Sequence, residues 1–138
     1  MKVADIMTPD VVTVHYNQRV NEALAALYEN DIRQVPVVDF NGVIVGILTD
    51  RDIKEHVGFR LAPGIDPEER RDALVDRIDS VMSTDPMTVQ PEMELSELID
   101  LLLETKVGGF PVVDDDKRVL GIVTYIDVLR ELRDRADV

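Results

Sequence analysis

The chain contains no cysteine and no tryptophan, and only 4% of its 138 residues are aromatic. The lack of cysteine excludes disulfide bonds, thiol catalysis and cysteine-based metal sites. It is consistent with a reducing compartment, so we expect a cytoplasmic protein. Because aromatic side chains are scarce, the core must be built from aliphatic side chains, and the hydrophobic content of 45% is sufficient for one.

Long apolar segments are also missing from the sequence. The first residues, Met1–Met7, include the acid Asp5 and are soon followed by Pro9, so they lack the apolar run of a signal peptide. No uncharged apolar run approaches the roughly 18 residues that a membrane-spanning helix needs. We therefore expect neither a signal peptide nor a membrane-spanning helix.

The chain has few positively charged residues. It contains 15 lysines and arginines against 28 aspartates and glutamates, so its formal net charge is -13. Such a surface repels phosphate backbones and anionic lipid headgroups. We therefore expect no nucleic-acid partner and no membrane partner. Any anionic ligand must be held by local donors against the general field of the protein.

The sequence contains an internal repeat, because residues 3–53 match residues 78–128 without a gap after a shift of 75 positions. Unrelated segments would rarely keep proline, glycine, threonine and aspartate in register over this length. Two copies are too few for a solenoid, so a closed pseudo-twofold pair is expected. The identities include Met7 with Met82, Thr13-Val14 with Thr88-Val89, Pro36–Asp39 with Pro111–Asp114, Gly46 with Gly121, Thr49 with Thr124 and Asp52 with Asp127.

Each copy is predicted to have the order β-α-β-β-α, which makes the fold an α+β fold. Residues 11–14 form a short β-branched run typical of a strand. Two strands then flank Asn41-Gly42, a pair that favours a type I′ hairpin turn, and a second helix follows Thr49 and Thr124. The first helix of each copy is predicted from apolar residues at helical spacing, which are Val20, Ala23, Leu24 and Leu27, and Leu95, Leu98, Ile99 and Leu102.

We place the first repeat at residues 1–57, a linker with a short helix at 58–77 and the second repeat at 78–138. Within the linker, Pro63-Gly64 predicts a turn and Asp66-Pro67 predicts a helix start. Leu74, Ile78 and Val81 would give that helix an apolar stripe. We interpret this segment as the lead-in to the second repeat, equivalent to the residues before the first.

The strongest local motif is Thr-x-x-Asp at the start of a helix, at Thr49–Asp52 and Thr124–Asp127. One interpretation is a capping box, in which threonine caps the helix and aspartate reaches back to the backbone. A second interpretation is anion or nucleotide binding, because a helix N-terminus offers free N–H groups and a positive dipole end. A carboxylate at this place also suits the two hydroxyls of a ribose. The same residues can serve both purposes.

The duplicated pattern of an apolar strand, Pro-Val-Val-Asp and then Gly-Ile-x-Thr-x-x-Asp resembles the CBS domain family, named after the regulatory part of cystathionine beta-synthase. The resemblance covers nearly the whole chain and implies a tandem CBS pair, or Bateman module. It implies two sheets packed face to face, with ligand clefts between the copies. Family members commonly bind AMP, ADP, ATP or S-adenosyl compounds and regulate an attached or partner protein.

The resemblance also implies the site residues, because each cleft joins Thr-x-x-Asp of one copy to two segments of the other. These segments are the first strand and the residues just before Pro-Val-Val-Asp. Cleft one joins Thr49, Arg51 and Asp52 to Pro86, Met87, Thr88, Val107, Gly108 and Gly109. Cleft two joins Thr124 and Asp127 to Val11, Val12, Thr13, Ile32, Arg33 and Gln34.

The two implied clefts are not equal in composition. Residues 108–109 are both glycine and would let backbone donors approach an adenine edge. Arg51 could hold a phosphate through its charged fork. Cleft two has Ile126 where Arg51 sits, so phosphate charge there must come from Arg33 or Arg130.

These implications predict a regulatory module that senses an adenine nucleotide, catalyses no reaction, needs no cofactor and regulates an unidentified partner protein. A homodimer is expected to form through the apolar helices around Val20–Leu27 and Leu95–Leu102, with Ala23, Ala25 and Ala26 allowing close approach. Three alternatives stay open, namely a ligand-free dimerisation module, a sensor of S-adenosyl compounds and an enzyme that acts on nucleotides. The sequence shows no nucleophile elbow and no glycine-rich phosphate loop, which disfavours the enzyme.

Other polar features have simpler interpretations. His15 and His56 lie far apart in sequence, so surface or core roles are favoured over catalysis or metal binding. Residues 114–116 are three aspartates without the glycine and distal glutamate of a calcium loop, which favours a solvated turn and predicts no metal site. Arg130, Arg133 and Arg135 lie near the C-terminal end of the last helix, where cations suit the helix dipole. Contact of these arginines with a nucleotide phosphate is the less favoured alternative.

Overall fold

The structure is a computed structural model that describes residues 1–60 and 67–136. It alternates helices and strands as the repeat predicts, which confirms the α+β class and the two β-α-β-β-α copies. The helices are α1 (Val3–Ile6), α2 (Val20–Glu29), α3 (Asp50–Arg60), α4 (Pro67–Val75), α5 (Leu95–Thr105) and α6 (Tyr125–Arg135), with a 3₁₀ turn at Ile78–Ser80. The strands are β1 (Thr8–Pro9), β2 (Val14–His15), β3 (Gln34–Val38), β4 (Ile44–Thr49), β5 (Ser83–Thr84), β6 (Gly109–Val113) and β7 (Val119–Thr124).

The chain forms two compact units. We call residues Val12–Pro86 the middle unit. Its sheet has the order β2-β3-β4-β5, in which β3 and β4 form an antiparallel hairpin and β2 pairs parallel to β3. Helices α2, α3 and α4 pack together in this unit. Its core is aliphatic, as the composition predicts, and is made of Val14, Val20, Ala23, Leu27, Val35, Val37, Leu48, Ile53 and Ile78.

We call the second compact unit the terminal unit, because it combines Met1–Val11 with Met87–Val138. Its sheet has the order β1-β7-β6, and Val89 forms a parallel bridge to Val112 where the middle unit has β2. Phe110 is fully buried here and is the largest core side chain. The core residues are Val3, Val89, Leu98, Phe110, Val112, Val123 and Val128.

The lead-in of each repeat packs in the unit that contains most of the other repeat. Strand β1 pairs with β7, and strand β5 pairs with β4. Val3 is completely buried in the core of the terminal unit, and Ile78 is completely buried in the core of the middle unit. The compact units therefore do not coincide with the sequence repeats. The boundaries at residues 57 and 78 separate the repeats in the sequence and not the compact units.

Glycine at the fourth-from-last position of each central strand has a steric reason. A Cβ at Gly46 would lie 2.8 Å from the carbonyl oxygen of Ser83 and 2.5 Å from the sulfur of Met82. A Cβ at Gly121 would collide with the carbonyl oxygen of Thr8. Glycine at this equivalent position of both copies thus admits the neighbouring lead-in strand, and this role involves no ligand.

The hairpin turn at Asn41-Gly42 is not the predicted type I′ turn, which requires positive φ at both central residues. Gly42 has φ +80°, whereas Asn41 is absent from the described residues with positive φ. The Asp39 carboxylate accepts the backbone N–H groups of Asn41 and Val43 and so fixes a different turn. Asp114 does the same for the N–H groups of Asp116 and Arg118, which gives the aspartate run a structural role.

Two further predictions about local structure need correction, and two lie where the structure describes nothing. The strand predicted at residues 11–14 is regular only at Val14–His15. The linker helix ends at Val75, so Ile78 and Val81 are not part of its stripe and instead follow it into the core of the middle unit. The predicted turn at Pro63-Gly64 and the helix cap at Asp66 lie outside the described residues.

The helix surfaces proposed for dimerisation are only partly available. Val20, Ala23 and Leu27 are buried in the core of the middle unit, because this face of α2 covers the sheet. On the same helix Leu24 is 40% exposed and Tyr28 is 88% exposed. Helix α5 likewise buries Leu98 and exposes Leu103. Any dimer contact through α2 or α5 must therefore use exposed side chains such as Leu24, Tyr28 and Leu103, and not the buried residues Val20, Ala23, Leu27 and Leu98.

Candidate functional site

The first Thr-x-x-Asp motif forms a reciprocal capping box at the start of α3. The backbone N–H of Asp52 donates to Oγ1 of Thr49 at 3.0 Å. In return the backbone N–H of Thr49 donates to Oδ2 of Asp52 at 2.9 Å. Strand β4 ends at Thr49 and α3 begins at Asp50, so the box fixes both side chains at the N-terminal end of the helix. The capping interpretation is confirmed, and it places a half-buried carboxylate beside a positive dipole end.

Arg51 lies on the exposed side of the same helix turn. Its Nε donates to Oε1 of Glu55 at 3.2 Å, and the two side chains are 85% and 67% exposed. An exposed i,i+4 pair of this kind contributes little to stability, because water screens both charges. Arg51 is therefore a cation that a ligand can recruit at little cost to the fold.

The second motif repeats the box at the start of α6 with one added neighbour. The backbone N–H and the hydroxyl of Thr124 donate to Oδ2 of Asp127 at 2.8 and 3.2 Å. The Asp127 side chain is only 10% exposed, and Nη1 of Arg130 lies 4.0 Å from its Oδ1. Both residues line an open cavity of about 270 Å³ together with Asp5, Thr8, Glu131 and Asp134. The surroundings of Asp127 are thus mostly acidic, with Arg130 as the cation beside it.

The residue equivalent to Arg51 in the second repeat is Ile126, which is 40% exposed. Arg33, the other cation predicted for cleft two, is exposed at the residue before β3. The structure therefore places Arg130 next to the second carboxylate.

The segments before Pro-Val-Val-Asp are tied to the helix starts by equivalent hydrogen bonds. The N–H of Asp50 donates to the carbonyl oxygen of Arg33 at 2.8 Å, and that of Tyr125 donates to Gly108 at 3.0 Å. Gly109 is buried, and a Cβ there would lie 2.8 Å from both Cγ2 of Thr124 and the carbonyl oxygen of Val123. Gly109 is thus required by packing. Gly108 is exposed and has room for a side chain.

The remaining predicted residues lie in the two first-strand segments and beside them. Thr13 and Met87 are exposed, the latter by 50%. Val107 is 43% exposed. Val11, Val12, Ile32, Gln34, Pro86 and Thr88 are half-buried.

The predicted residues are divided between the two compact units. The middle unit contains Val12, Thr13, Ile32, Arg33, Gln34, Thr49, Arg51, Asp52 and Pro86. The terminal unit contains Val11, Met87, Thr88, Val107, Gly108, Gly109, Thr124 and Asp127. Their grouping into two clefts stays a prediction from the resemblance.

Both histidines have packing partners. Nε2 of His56 lies 2.8 Å from Oδ2 of Asp76 and joins α3 to the segment after α4. The ring of His15 packs on the ring of Phe40 with centroids 3.8 Å apart, and its Nδ1 lies 2.6 Å from Oδ1 of Asn17. Among the described residues no group of three or more His, Cys, Asp or Glu side chains could hold a metal ion.

No helix within residues 1–60 and 67–136 is long and apolar enough to cross a membrane.

Tyr125 is absent from the site residues predicted from the sequence, and its ring lies beside Gly108. The sequence signal for Tyr125 is the difference between the copies at this position, where the first copy has Asp50.

Known proteins resemble this chain both in sequence and in structure. The model of the CBS domain matches the chain twice, at residues 3–58 and 78–134. The chain belongs to the CBS domain family. A CBS domain-containing protein of Dictyostelium discoideum is 31% identical over 127 residues, which are 92% of this chain and 88% of that protein. The chain spans half or less of the length of several other curated relatives that it matches.

Solved structures of CBS pairs resemble the chain over nearly its full length. One is CBSX2 of Arabidopsis thaliana in complex with AMP, with a TM-score of 0.81, 30% identity and 96% of each chain covered. Another is the CBS domain pair of protein MJ0100 in complex with 5′-methylthioadenosine and S-adenosyl-L-methionine. It has a TM-score of 0.80 and 27% identity, and it covers 99% of this chain and 98% of that chain.

Proposed function

We propose that this chain is a regulatory module that binds an adenine nucleotide of the AMP, ADP or ATP type. The observation that carries the proposal is the pair of Thr-x-x-Asp boxes at the N-terminal ends of α3 and α6. Each box fixes a hydroxyl and a carboxylate at a place that favours an anion. Two relatives of similar fold bind AMP or S-adenosyl compounds, which supports an adenosine-containing ligand.

Asp52 is proposed to accept the two ribose hydroxyls. The backbone N–H of Thr49 donates a hydrogen bond to Oδ2 of Asp52. A carboxylate has about four lone-pair sites that can accept hydrogen bonds. Capping therefore leaves acceptor capacity on the same group. The bond from Thr49 also fixes the carboxylate before a ligand arrives, which lowers the entropic cost of binding.

Arg51 and the first turn of α3 are proposed to bind phosphate. The protein carries a net charge of -13, so an anionic ligand must meet a local cation to overcome repulsion. Arg51 can leave its exposed pair with Glu55 at small cost, and a guanidinium matches phosphate with two parallel hydrogen bonds. Thr49 adds a hydroxyl at the same helix end.

The adenine edge is proposed to meet the backbone of residues 107–109 and the segment 86–88. Gly108 is exposed and carries no side chain that would keep a base away from its backbone. The family resemblance implies this assignment. A second site would use Thr124, Asp127 and the segments 11–13 and 32–34, with Arg130 as its phosphate-binding cation.

Ligand binding is proposed to act by population shift, since a nucleotide that prefers one arrangement of the module favours that arrangement. We also propose that the module works in the cytoplasm as a homodimer, catalyses no reaction and controls a partner protein. The exposed apolar side chains of α6, namely Ile126, Leu129 and Leu132, are candidates for the dimer contact because they share one helix face. The equivalent residues of α3 are Arg51, Lys54 and Val57.

An S-adenosyl compound is the second candidate ligand, and the MJ0100 pair supports it. Such a ligand carries the same adenosine but no phosphate, so it would use Asp52, and Arg51 would meet only the carboxylate of a methionine part. A ligand-free dimerisation module would bind none of these compounds. An enzyme acting on nucleotides would turn over the bound nucleotide.

Isothermal titration of the purified chain with AMP, ADP, ATP, NAD and S-adenosylmethionine tests the proposal. Saturable binding of an adenine nucleotide in preference to S-adenosylmethionine would support it, with chromatography of the bound nucleotide showing no conversion. Preference for S-adenosylmethionine would favour the second candidate. Absence of binding to all five compounds at millimolar concentration would overturn the proposal and leave the ligand-free dimerisation module.

A further inference from the structure

Tyr125 is the first residue of α6 and lies between the two members of the second Thr-x-x-Asp box. Its backbone N–H donates to the carbonyl oxygen of Gly108 at 3.0 Å, which fixes the start of the helix against the segment before β6. The residue is 51% exposed. The backbone at Tyr125 is therefore fixed while the residue remains open to a ligand.

The ring of Tyr125 lies alongside the exposed Gly108. A Cβ added at Gly108 would lie 3.8 Å from Cε1 and 3.9 Å from Cδ1 of the ring, which is ordinary van der Waals contact. Val107, the preceding residue, is 43% exposed and apolar. An aromatic ring thus lies beside an exposed glycine backbone on the surface of the terminal unit, and the residue before that glycine is apolar.

The first repeat has the same backbone arrangement with opposite side-chain chemistry. Asp50 stands where Tyr125 stands, and its N–H donates to the carbonyl oxygen of Arg33 at 2.8 Å. Its carboxylate pairs with Nζ of Lys54 at 3.5 Å. Because the backbone bond is the same in both copies, capping the helix does not require an aromatic ring at this position.

We propose that Tyr125 stacks on the nucleobase of the ligand and so determines base binding at the site that contains Gly108. This inference rests on the proposed function, since it assigns the adenine edge to the backbone of residues 107–109. A planar base held at its edge by that backbone presents its face to the neighbouring ring. Stacking of a base on an aromatic side chain changes affinity by between about fivefold and a hundredfold. The charged counterpart, Asp50 beside Arg33, offers no such ring, so the second site discriminates bases less.

Tyrosine fluorescence and calorimetry together test the inference. The chain has three tyrosines and no tryptophan, so its intrinsic fluorescence comes from Tyr16, Tyr28 and Tyr125. AMP is titrated into the wild type and into Tyr125→Leu, Tyr125→Phe and Tyr28→Phe. Tyr28 is 88% exposed and serves as the matched control. Ribose 5-phosphate, which lacks the base, is titrated into the same four proteins.

The expected result is that AMP quenches the fluorescence of the wild type and of Tyr28→Phe but not that of the two Tyr125 variants. Tyr125→Leu loses at least about fivefold in AMP affinity, and Tyr125→Phe keeps it because the ring remains. Affinity for ribose 5-phosphate is the same in all four proteins. Wild-type AMP affinity in Tyr125→Leu would overturn the inference and leave the proposed function standing.

A parallel loss of AMP and ribose 5-phosphate affinity in Tyr125→Leu would also overturn the inference, because Tyr125 would then act on the fold of the site and not on the base. Light scattering at the titration concentration shows whether such a loss follows a change in oligomeric state. If the wild type binds no adenine nucleotide, the proposed function and the inference fail together.

Discussion

The backbone N–H of Val3 donates to the carbonyl oxygen of Met93 at 2.9 Å and joins the first residues of the chain to the start of α5. The equivalent bond of the other copy runs from Ile78 to Gln18 at 2.8 Å. Each lead-in thus enters the unit that contains the helices of the other repeat. Neither unit is complete without a segment from the other repeat's sequence.

This exchange predicts where a lead-in substitution acts. Val3→Ala should increase amide hydrogen exchange in β6 and β7, and Ile78→Ala should increase it in β3 and β4, because each leaves a cavity in that core. Truncating a fully buried isoleucine costs about 2–5 kcal/mol, and the smaller valine costs less. Hydrogen exchange followed by mass spectrometry checks the pattern, and Ile78→Val is used if the alanine variant unfolds. Increased exchange in the strands of the same repeat would contradict it.

The two adjacent glycines of the second repeat should respond differently to alanine. Gly109→Ala places a Cβ 2.8 Å from Cγ2 of Thr124 and from the carbonyl oxygen of Val123, so we expect a loss of about 1–3 kcal/mol in unfolding free energy. Gly108→Ala meets only ordinary contacts and should stay within about 0.5 kcal/mol of the wild type. Urea unfolding measures both. Equal stability of the two variants would show that the Gly109 backbone can shift to accept a side chain.

The repeat explains how much of the fold the sequence could predict. Helical spacing in α2 and α5 and the hairpins around residues 41 and 116 are local patterns, and they appear at the predicted places. The exchange of lead-ins is not local. Both copies offer an equivalent carbonyl acceptor, at Gln18 and Met93, so the sequence pattern does not say which lead-in pairs with which copy.

The candidate site was predictable to a similar degree. The Thr-x-x-Asp motif predicts the cap directly, because all its partners lie within three residues. The role of Gly109 is a steric contact with the neighbouring strand, and a run of two glycines does not reveal which one is required by packing. The contact of Tyr125 with Gly108 is not predictable from the motif, because it joins residues that are distant in sequence and differs between the copies.

The homodimer proposal predicts that a charge at one exposed position of α6 breaks the dimer. Leu129 is 54% exposed, and its counterpart in the first repeat is Lys54, whose side chain is 79% exposed. Leu129→Lys therefore introduces a residue that the equivalent helix already tolerates, and we expect unfolding free energy within about 0.5 kcal/mol of the wild type. A charge in the contact should turn the dimer into a monomer at micromolar concentration, whereas Leu129→Met should remain dimeric. Light scattering decides this, and a monomeric wild type would refute the dimer altogether.

Arg51 is predicted to act on phosphate alone. Arg51→Ala should weaken ATP binding more than adenosine binding, because only ATP carries the charge that the guanidinium meets. Loss of the exposed pair with Glu55 should cost at most about 0.5 kcal/mol of stability. Arg135→Ala is the matched control, since Arg135 forms an exposed i,i+4 pair with Glu131 at 2.7 Å. Equal losses for ATP and adenosine in calorimetric titrations would show that Arg51 does not contact phosphate.

Asp52→Asn separates nucleotide binding from helix capping. Asparagine keeps an oxygen that can accept the N–H of Thr49, so unfolding free energy should change by no more than about 0.5–2 kcal/mol. It removes the negative charge that strengthens hydrogen bonds from the ribose hydroxyls. A hydrogen bond to a charged group is worth about 1.5–3 kcal/mol, so AMP affinity should fall by roughly tenfold or more.

Calorimetric titration and thermal unfolding of Asp52→Asn are measured beside those of Asp127→Asn. Asp127 occupies the equivalent box, but its carboxylate already lies beside Arg130, so its variant reports on the second site under the same change of charge. A deoxyribose nucleotide, dAMP, lacks one of the two hydroxyls and should bind the wild type more weakly but bind Asp52→Asn with little further loss. If Asp52→Asn binds AMP as tightly as the wild type and melts several degrees lower, Asp52 is a helix cap only. The ribose would then be held elsewhere.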